Sequence, residues 1–190
     1  MKSAQVNLLL FLCAIVTLAN GQVGPNGSQS GTGALTTIAT LDVPRFMGTW
    51  FEIARYPNWF QRKCASNTNA NYSQLPDGTL QVVNRCTTES GNVSEVVGAA
   101  RQMGNATAPK LEVRFAPAWL SFLPAVWGDY WVIDLDPEYR WVAVSEPKRQ
   151  YLWILSRTPK VSQKVYEELL ARLEKKGFDM HKLEITRQQE

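Results

Sequence analysis

The chain has 190 residues, with 20 Lys and Arg against 17 Asp and Glu, and a formal net charge of +3 at pH 7. A balance this small, with cations spread along the chain rather than grouped, argues against a nucleic acid as partner. The length is enough for one domain with a substantial core and too short for two ordinary ones.

The first 21 residues have the layout of a secretory signal peptide. An apolar run over residues 8–18 is followed by Ala19-Asn20-Gly21, a suitable cleavage site before Gln22. A lipid-anchored form is the alternative, because Cys13 lies in the run, although the residues before it are too large for lipoprotein cleavage. We therefore predict a secreted or periplasmic protein, with outer-membrane association as the alternative.

The remaining chain divides into an arm and one folded domain. Residues 22–40 are rich in Gly, Ser, Thr and Asn, so we predict a flexible N-terminal arm, with the domain over residues 41–190. In the domain, runs of β-branched and aromatic residues alternate with turn signals, which predicts an all-β, antiparallel up-and-down barrel or a sandwich. The eight predicted strands are Trp50–Tyr56, Thr68–Leu75, Thr79–Cys86, Glu95–Gln102, Lys110–Phe115, Tyr130–Leu135, Tyr139–Val144 and Tyr151–Ser156.

One α-helix is predicted over residues 162–176, near the C-terminus. Val165, Leu169 and Leu173 recur at i, i+4 and i+8 and form one apolar stripe. The preceding strand, Leu152–Leu155, is apolar on both faces, so its outward face must be covered. We expect the helix to pack on the outside of the sheet at this strand.

Two segments about a hundred residues apart are the most informative part of the sequence. Asp42 and Gly48-Thr49-Trp50 come first, and Leu152-Trp153-Ile154-Leu155-Ser156-Arg157 precedes the helix. Glycine permits a sharp turn, tryptophan is large enough to plug a small barrel, and arginine can stack on its ring. In this order the segments resemble the lipocalin family, whose members carry apolar small molecules inside an eight-stranded barrel. The resemblance implies that Gly48, Trp50 and Arg157 close one end of the barrel.

The resemblance extends over roughly residues 41–187. Within the family, the chain is most similar to the branch that contains the bacterial outer-membrane lipocalins, the plant lipocalins and apolipoprotein D. The resemblance rests on further motifs such as Ala70-Asn71-Tyr72-Ser73 and Asp129-Tyr130-Trp131-Val132. An aromatic-lined pocket with a few polar groups would bind a fatty acid, lysolipid, sterol or similar amphiphile, for transport or storage. The alternative is an interior that these side chains simply fill. The residues at the cavity-facing positions are Tyr72, Asn84, Phe115, Tyr130 and Trp153.

The segment over residues 116–127 is unusual for a connection between strands. It has two prolines, which disfavour a strand, and six large apolar residues without a single charge. Plant members of the family have a comparable loop. Either the loop rests on a bilayer, lipid particle or partner, or it packs as a lid on the barrel mouth. The residues predicted to make the membrane contact are Trp119, Leu120, Phe122 and Leu123.

The cysteines and the single histidine restrict the possible chemistry. Cys64 and Cys86 remain after the signal, and an even pair in a secreted protein predicts a disulfide, with two free thiols as the alternative. His181 alone supports neither a catalytic triad nor a zinc site. We predict a binding protein with no metal and no cofactor, whose oligomeric state the sequence leaves open. The remaining enzyme hypothesis is a thiol-dependent isomerase or transferase using Cys64, beside the cations Arg62 and Lys63.

Overall fold

The computed structural model of the chain describes residues 33–189, so the predicted signal peptide and the first part of the arm lie outside the described residues. Eight antiparallel strands form a closed up-and-down barrel, because the first strand pairs with both the second and the eighth. The barrel prediction is confirmed and the sandwich is wrong. The strands are β1 Gly48–Arg55, β2 Cys64–Gln74, β3 Leu80–Thr88, β4 Val93–Gln102, β5 Lys110–Arg114, β6 Gly128–Leu135, β7 Trp141–Ser145 and β8 Leu152–Ser156.

Besides short 3-10 turns, the described residues also form a short helix α1 Val43–Phe46, the helix α2 Gln163–Lys175, and a two-residue strand β9 Glu184–Ile185 that pairs with the end of β1. α1 precedes β1 and buries Val43 and Phe46 at one end of the barrel, which we call the closed end. In the part of the chain that the structure describes, no helix is long and apolar enough to cross a membrane.

Residues alternate between the two faces of each strand, and β2 shows the pattern most clearly. Ser66, Thr68, Ala70 and Tyr72 are buried, whereas the residues between them are half-buried. Thr68, Ala70 and Tyr72 face the barrel interior, where Ala70 and Tyr72 join the main apolar core, whereas the strand is irregular between Ser66 and Asn69. This period of two is the one that a barrel wall requires.

A second apolar core lies outside the barrel, under α2. Ser162 caps this helix by accepting a hydrogen bond from the Val165 N–H (3.4 Å), and the helix agrees with the predicted range to within one residue at each end. Leu169 and Leu173 are buried against the outward face of β8, which includes Ile154. The helix therefore covers the strand that is apolar on both faces, as predicted.

The described part of the predicted arm, residues 33–40, contacts the barrel. Leu35 is only 6% exposed and belongs to the outer core, and the Ile38 N–H donates to the carbonyl of Val132 in β6 (3.0 Å). Arg149 also donates to the carbonyl of Gly33 (2.8 Å). Within residues 33–40 two apolar side chains that the composition argument missed, Leu35 and Ile38, thus pack against the barrel, and the flexibility of the 22–40 arm stays a prediction.

The closed end is held by a stack of Arg157 on Trp50. The guanidinium carbon of Arg157 lies 3.8 Å from the centre of the Trp50 ring, which is fully buried. Arg157 also donates to the carbonyls of Thr49 (3.0 Å) and Arg45 (2.7 Å), so it ties β1 to α1. Burial lowers the pKa of the Arg157 guanidinium from its ordinary value. Gly48 has a φ of +92°, a conformation that a side chain would strain.

We expect Arg157→Ala to lower the free energy of unfolding by about 2 kcal/mol, or about 4–8 °C in Tm, because it removes the stack and both backbone bonds. Thermal unfolding measures the effect. Arg85→Ala is the control, since Arg85 makes only an exposed ion pair with Glu95 and should change stability by less than about 1 kcal/mol. An Arg157 variant that kept its Tm and lost ligand affinity would contradict the structural role.

Candidate functional site: the barrel interior and its open end

Strand pairing places four of the five predicted ligand-binding residues on the interior face. Tyr72 and Tyr130 belong to the interior core, and Trp153 packs against it. Asn84 lies directly opposite Ala70, which is also in that core, and directly opposite residues share a face. The fifth residue, Phe115, follows β5 and is described below.

Tyr72 and Tyr130 are brought together by strands that are far apart in the sequence. Their hydroxyl oxygens are 2.7 Å apart, and both side chains are buried. Burial raises the pKa of Tyr72 to about 12 and raises that of Tyr130 well above its ordinary value, so both hydroxyls are neutral at physiological pH. In their shared hydrogen bond one hydroxyl donates and the other accepts, so each buried hydroxyl has a partner.

Trp153 lies where the interior meets the connection between β1 and β2. Its indole N–H donates to Oε1 of Gln61 (3.0 Å), and its ring stacks on Tyr151 with centroids 5.8 Å apart. Phe60 approaches the same indole at 6.3 Å between ring centroids. Trp153 therefore joins the barrel wall to this connection, and it is half-buried rather than part of the closed end.

Phe115 packs across the interior face on Gly98 of β4. A Cβ atom added to Gly98 would lie 2.6 Å from Cδ1 of Phe115, so only glycine allows this contact. The Phe115 ring is nevertheless 41% exposed. Asn84 is half-buried, and its side-chain amide makes no hydrogen bond within residues 33–189. The five predicted residues therefore share one interior, but they do not form a single contact cluster.

Exposure increases along the interior from the closed end to the opposite one, which we call the open end. Near the closed end the side chains fill the barrel, and Trp50, Phe46 and Val82 are at most 2% exposed. Val96 of β4 lies opposite Asn84 and so faces inward, yet it is 44% exposed. An inward-facing valine can reach solvent only if the space in front of it is open. The closed half of the barrel is thus packed, and the open half is accessible.

The connections that follow β1, β3, β5 and β7 all lie at the open end, because the odd-numbered strands run in the same direction around an up-and-down sheet. Two of them, β1–β2 and β5–β6, carry large exposed apolar residues. In the 116–127 segment Trp119 is 73% exposed and Phe122 is 74% exposed. Leu123 is 38% exposed, whereas Leu120 is half-buried, so the predicted contact set is exposed at three of its four residues. These side chains do not form a closed lid.

The β1–β2 connection adds two exposed aromatic residues that the sequence analysis missed. Trp59 is 70% exposed and Phe60 is 43% exposed, with their ring centroids 5.6 Å apart. Adjacent aromatic residues outside a strand pattern were the signal that would have identified them. We call the exposed residues of both connections the apolar rim: Trp59, Phe60, Trp119, Phe122 and Leu123.

A buried polar cluster on the interior wall was also missed. The Glu52 carboxylate is almost fully buried and accepts hydrogen bonds from Arg55 Nη1 (3.0 Å), Gln61 Nε2 (2.7 Å) and Thr186 Oγ1 (2.6 Å). We call these four residues the Glu52 cluster. A glutamate two positions after the inward-facing Trp50 was the available signal, because it had to face the interior as well.

The remaining cysteines, acidic groups and surface groove give less support for a functional site than the barrel interior does. Cys64 and Cys86 form the predicted disulfide, with an S–S distance of 2.02 Å, which joins the start of β2 to the end of β3. Within residues 33–189, no group of three or more His, Cys, Asp or Glu is placed to hold a metal ion. A groove of about 540 Å³ lies at the closed end beside Val43, Leu80 and Gln102, and none of the five predicted residues lines it.

Comparison with known proteins agrees with this architecture. Residues 41–188 match the model of a lipocalin-like domain. Temperature-induced lipocalin-1 of Arabidopsis thaliana is 38% identical over 156 residues, 81% of this chain and 83% of the relative. Outer membrane lipoprotein Blc of Escherichia coli K12 is 40% identical over 149 residues, which cover 78% of this chain and 80% of Blc.

More distant relatives extend the similarity. Apolipoprotein D of Mus musculus is 26% identical over 193 residues, with 96% of each chain covered. The crystal structure of insecticyanin from the tobacco hornworm Manduca sexta superimposes with a TM-score of 0.64 at 19% identity, covering 82% of this chain and 85% of that one, which supports the fold alone. Together with the match over residues 41–188, these similarities show that the chain belongs to the lipocalin family.

Proposed function

We propose that this protein binds a small lipophilic ligand in the open half of its barrel and transports or stores it. The observation that carries the proposal is the accessible interior: Val96 faces inward and is 44% exposed, beside the half-buried Asn84. The surroundings are aromatic and aliphatic, with a few polar groups, as sites for amphiphiles generally are. A fatty acid, lysophospholipid or sterol fits this description.

Burial of the ligand would supply the driving force. At about 25 cal/mol per Å², removing about 300 Å² of apolar ligand surface from water is worth about 7 kcal/mol before the cost of association. Selectivity would then come from the shape of the open half and from the polar groups on its wall. No bond needs to be made or broken in the ligand, so the proposal is a binding protein and not an enzyme.

A substitution that fills the open half tests the proposal. We expect Asn84→Phe to weaken the binding of palmitate, retinol and lysophosphatidylcholine by about tenfold or more, because the ring would occupy the space in front of Val96. Arg85→Phe is the matched control, since Arg85 is the next residue of β3, points outward and is exposed.

Isothermal titration measures both variants against the parent protein. If the two variants lost ligand affinity equally, or if Asn84→Phe kept the affinity of the parent protein, the ligand would bind elsewhere. Mass spectrometry of material extracted from the natively purified protein identifies the ligand itself.

A second function is favoured by the apolar rim. Trp119 and Phe122 are each more than 70% exposed, and Trp59 lies on the other connection at the same end. Large exposed apolar patches mark surfaces that bind membranes or partners. We propose that the rim contacts a bilayer or lipid particle, which would bring the open end of the barrel to a source of ligand.

Vesicle co-sedimentation tests this contact. Replacing Trp119, Leu120 and Phe122 by Ser should reduce binding to phosphatidylcholine vesicles by about tenfold or more, since three apolar side chains are lost. Leu75→Ser with Met103→Ser is the control, because both residues are exposed at the closed end. Vesicle binding that survived the triple replacement would exclude this role of the loop.

The thiol enzyme remains a remote alternative, and the disulfide argues against it. In a chain that begins at residue 22, Cys64 and Cys86 are the two cysteines, and the bond between them leaves no nucleophilic thiolate. We expect a thiol reagent to find no reactive group in the native protein and two after reduction and unfolding. One or two reactive native thiols would revive the enzyme hypothesis.

The same disulfide bears on localisation. Disulfides persist in oxidising compartments, and the first 21 residues have the layout of a signal peptide. One relative is by name an outer membrane lipoprotein. We propose that this protein acts outside the cytoplasm, either secreted or in a periplasm, with peripheral membrane contact through the apolar rim.

A further inference from the structure

The connection between β1 and β2 contains one short helical turn, which we call the β1–β2 turn. Residues Trp59–Gln61 form a 3-10 helix, and Arg62 keeps a helical backbone conformation, with a φ of −54° and a ψ of −30°. A 3-10 helix has about three residues per turn, so side chains three positions apart lie on the same side. The side chains of Asn58 and Gln61 agree with this spacing, because they hydrogen bond to each other at 2.6 Å. The three sides of the turn carry Asn58 with Gln61, Trp59 with Arg62, and Phe60 with Lys63.

Gln61 anchors one side of the turn to the barrel. Its Nε2 donates to the buried Glu52 carboxylate (2.7 Å), and its Oε1 accepts from the Trp153 indole N–H (3.0 Å). Just after the turn, the disulfide joins Cys64 to Cys86 of β3. Because the Gln61 side is fixed inward, the other two sides are turned away from the interior.

These two outward sides combine exposed rings with exposed cations. Trp59 and Phe60 belong to the apolar rim. Arg62 and Lys63 are exposed as well, and neither forms an ion pair with any of residues 33–189. Each ring therefore has an unpaired positive charge beside it, about 6 Å further along the turn.

The charges nearby do not cancel these cations. The β7–β8 connection contacts the turn, because the Tyr151 ring lies 5.7 Å from the Phe60 ring, and it adds the exposed cation Lys148. Its one carboxylate, Glu146, accepts from the backbone N–H groups of Lys148 (2.6 Å) and Tyr151 (3.2 Å). The β3–β4 connection carries Glu89, and the 116–127 segment carries no charge. The open-end connections thus have more cations than carboxylates, and two of the cations lie directly beside the exposed rings.

Rings and unpaired cations on one turn match the surface of an anionic bilayer. Aromatic side chains bind at the boundary between head groups and acyl chains, and Lys and Arg reach outward from that depth to the head groups. Each Lys or Arg close to an anionic bilayer strengthens binding by about fivefold, and the attraction extends over about 10 Å at 0.1 M salt. Arg62 and Lys63 are within that distance of any bilayer that Trp59 and Phe60 touch.

We propose that the β1–β2 turn binds the head groups of an anionic phospholipid bilayer, with Trp59 and Phe60 inserted at the interface and Arg62 and Lys63 on the lipid phosphates and carboxylates. This inference rests on the proposed membrane contact and refines it, because it names the class of bilayer and the element that recognises it. The uncharged 116–127 segment supports binding to any bilayer, whereas the turn directs the open end to a negatively charged one.

Vesicles of different charge test the proposal. The parent protein is co-sedimented with vesicles of phosphatidylcholine alone and with vesicles in which about a third of the lipid is phosphatidylserine. At low salt, binding to the vesicles that contain phosphatidylserine should be tighter by about tenfold or more. At about 1 M salt the difference should largely disappear, because charges are then screened within about 3 Å.

Arg62→Gln with Lys63→Gln should weaken binding to the anionic vesicles by about tenfold and leave binding to phosphatidylcholine unchanged, because both rings remain. Lys110→Gln with Lys164→Gln is the matched control. It removes the same charge from the start of β5 at the closed end and from the first turn of α2, where both lysines are exposed. Trp59→Ser should weaken binding to both kinds of vesicle, since the ring contributes whatever the charge of the lipid.

Each outcome decides the proposal. Equal binding of the parent protein to neutral and anionic vesicles at low salt, or equal losses in the two double variants, would overturn the role of the turn and leave the membrane contact intact. Failure to bind either kind of vesicle would overturn both and leave a protein as the partner of the rim. If Arg62→Gln with Lys63→Gln does not fold, Lys63→Gln alone gives the answer, with an expected loss of about fivefold on anionic vesicles.

Discussion

The barrel depends on the closure of its sheet at β1, which pairs with both β2 and β8. The Arg157–Trp50 stack fixes this junction, because the guanidinium lies on the ring at 3.8 Å and reaches the carbonyls of Thr49 and Arg45. An open sheet would leave two edges and expose an apolar face. With the sheet closed, eight short strands instead enclose one interior, and the helix α2 needs to cover only one part of the outside.

The closed half of the barrel is packed and the open half is accessible, because the side chains of the two halves differ in size and polarity. Large residues such as Phe46 and Trp50 fill the closed half and carry much of the stability. The open half is lined by smaller or polar residues such as Asn84 and Val96, and two of the connections at this end carry the apolar rim. A rigid half can thus support a half that stays accessible, which is the arrangement proposed for binding here.

The sequence predicted the features that local patterns encode. Runs of β-branched and aromatic residues between turn signals identified the eight strands, an i, i+4 stripe identified α2, and the Gly48–Trp50 and Arg157 motifs identified the closure. The spacing from Trp50 could have placed Glu52 inside the barrel, but its partner Thr186 lies 134 positions away and no local pattern predicts that bond. The packing of Leu35 was missed for the opposite reason: a single apolar residue in a polar segment is too weak a pattern. The ligand roles of the interior residues remain predictions.

Residues 184–189 bond to β1 and β2 where these two strands no longer pair, and this affects when the barrel can close during synthesis and folding. Their contacts join residues about 120 to 136 positions apart, among the most distant in the sequence, and contacts of this kind form slowly. The wall is therefore finished by residues that follow all eight barrel strands in the sequence, so the barrel cannot be sealed before these residues have been synthesised. A truncation that removes residues 184–189 would act on this side wall, because their backbone and side chains bond to both β1 and β2.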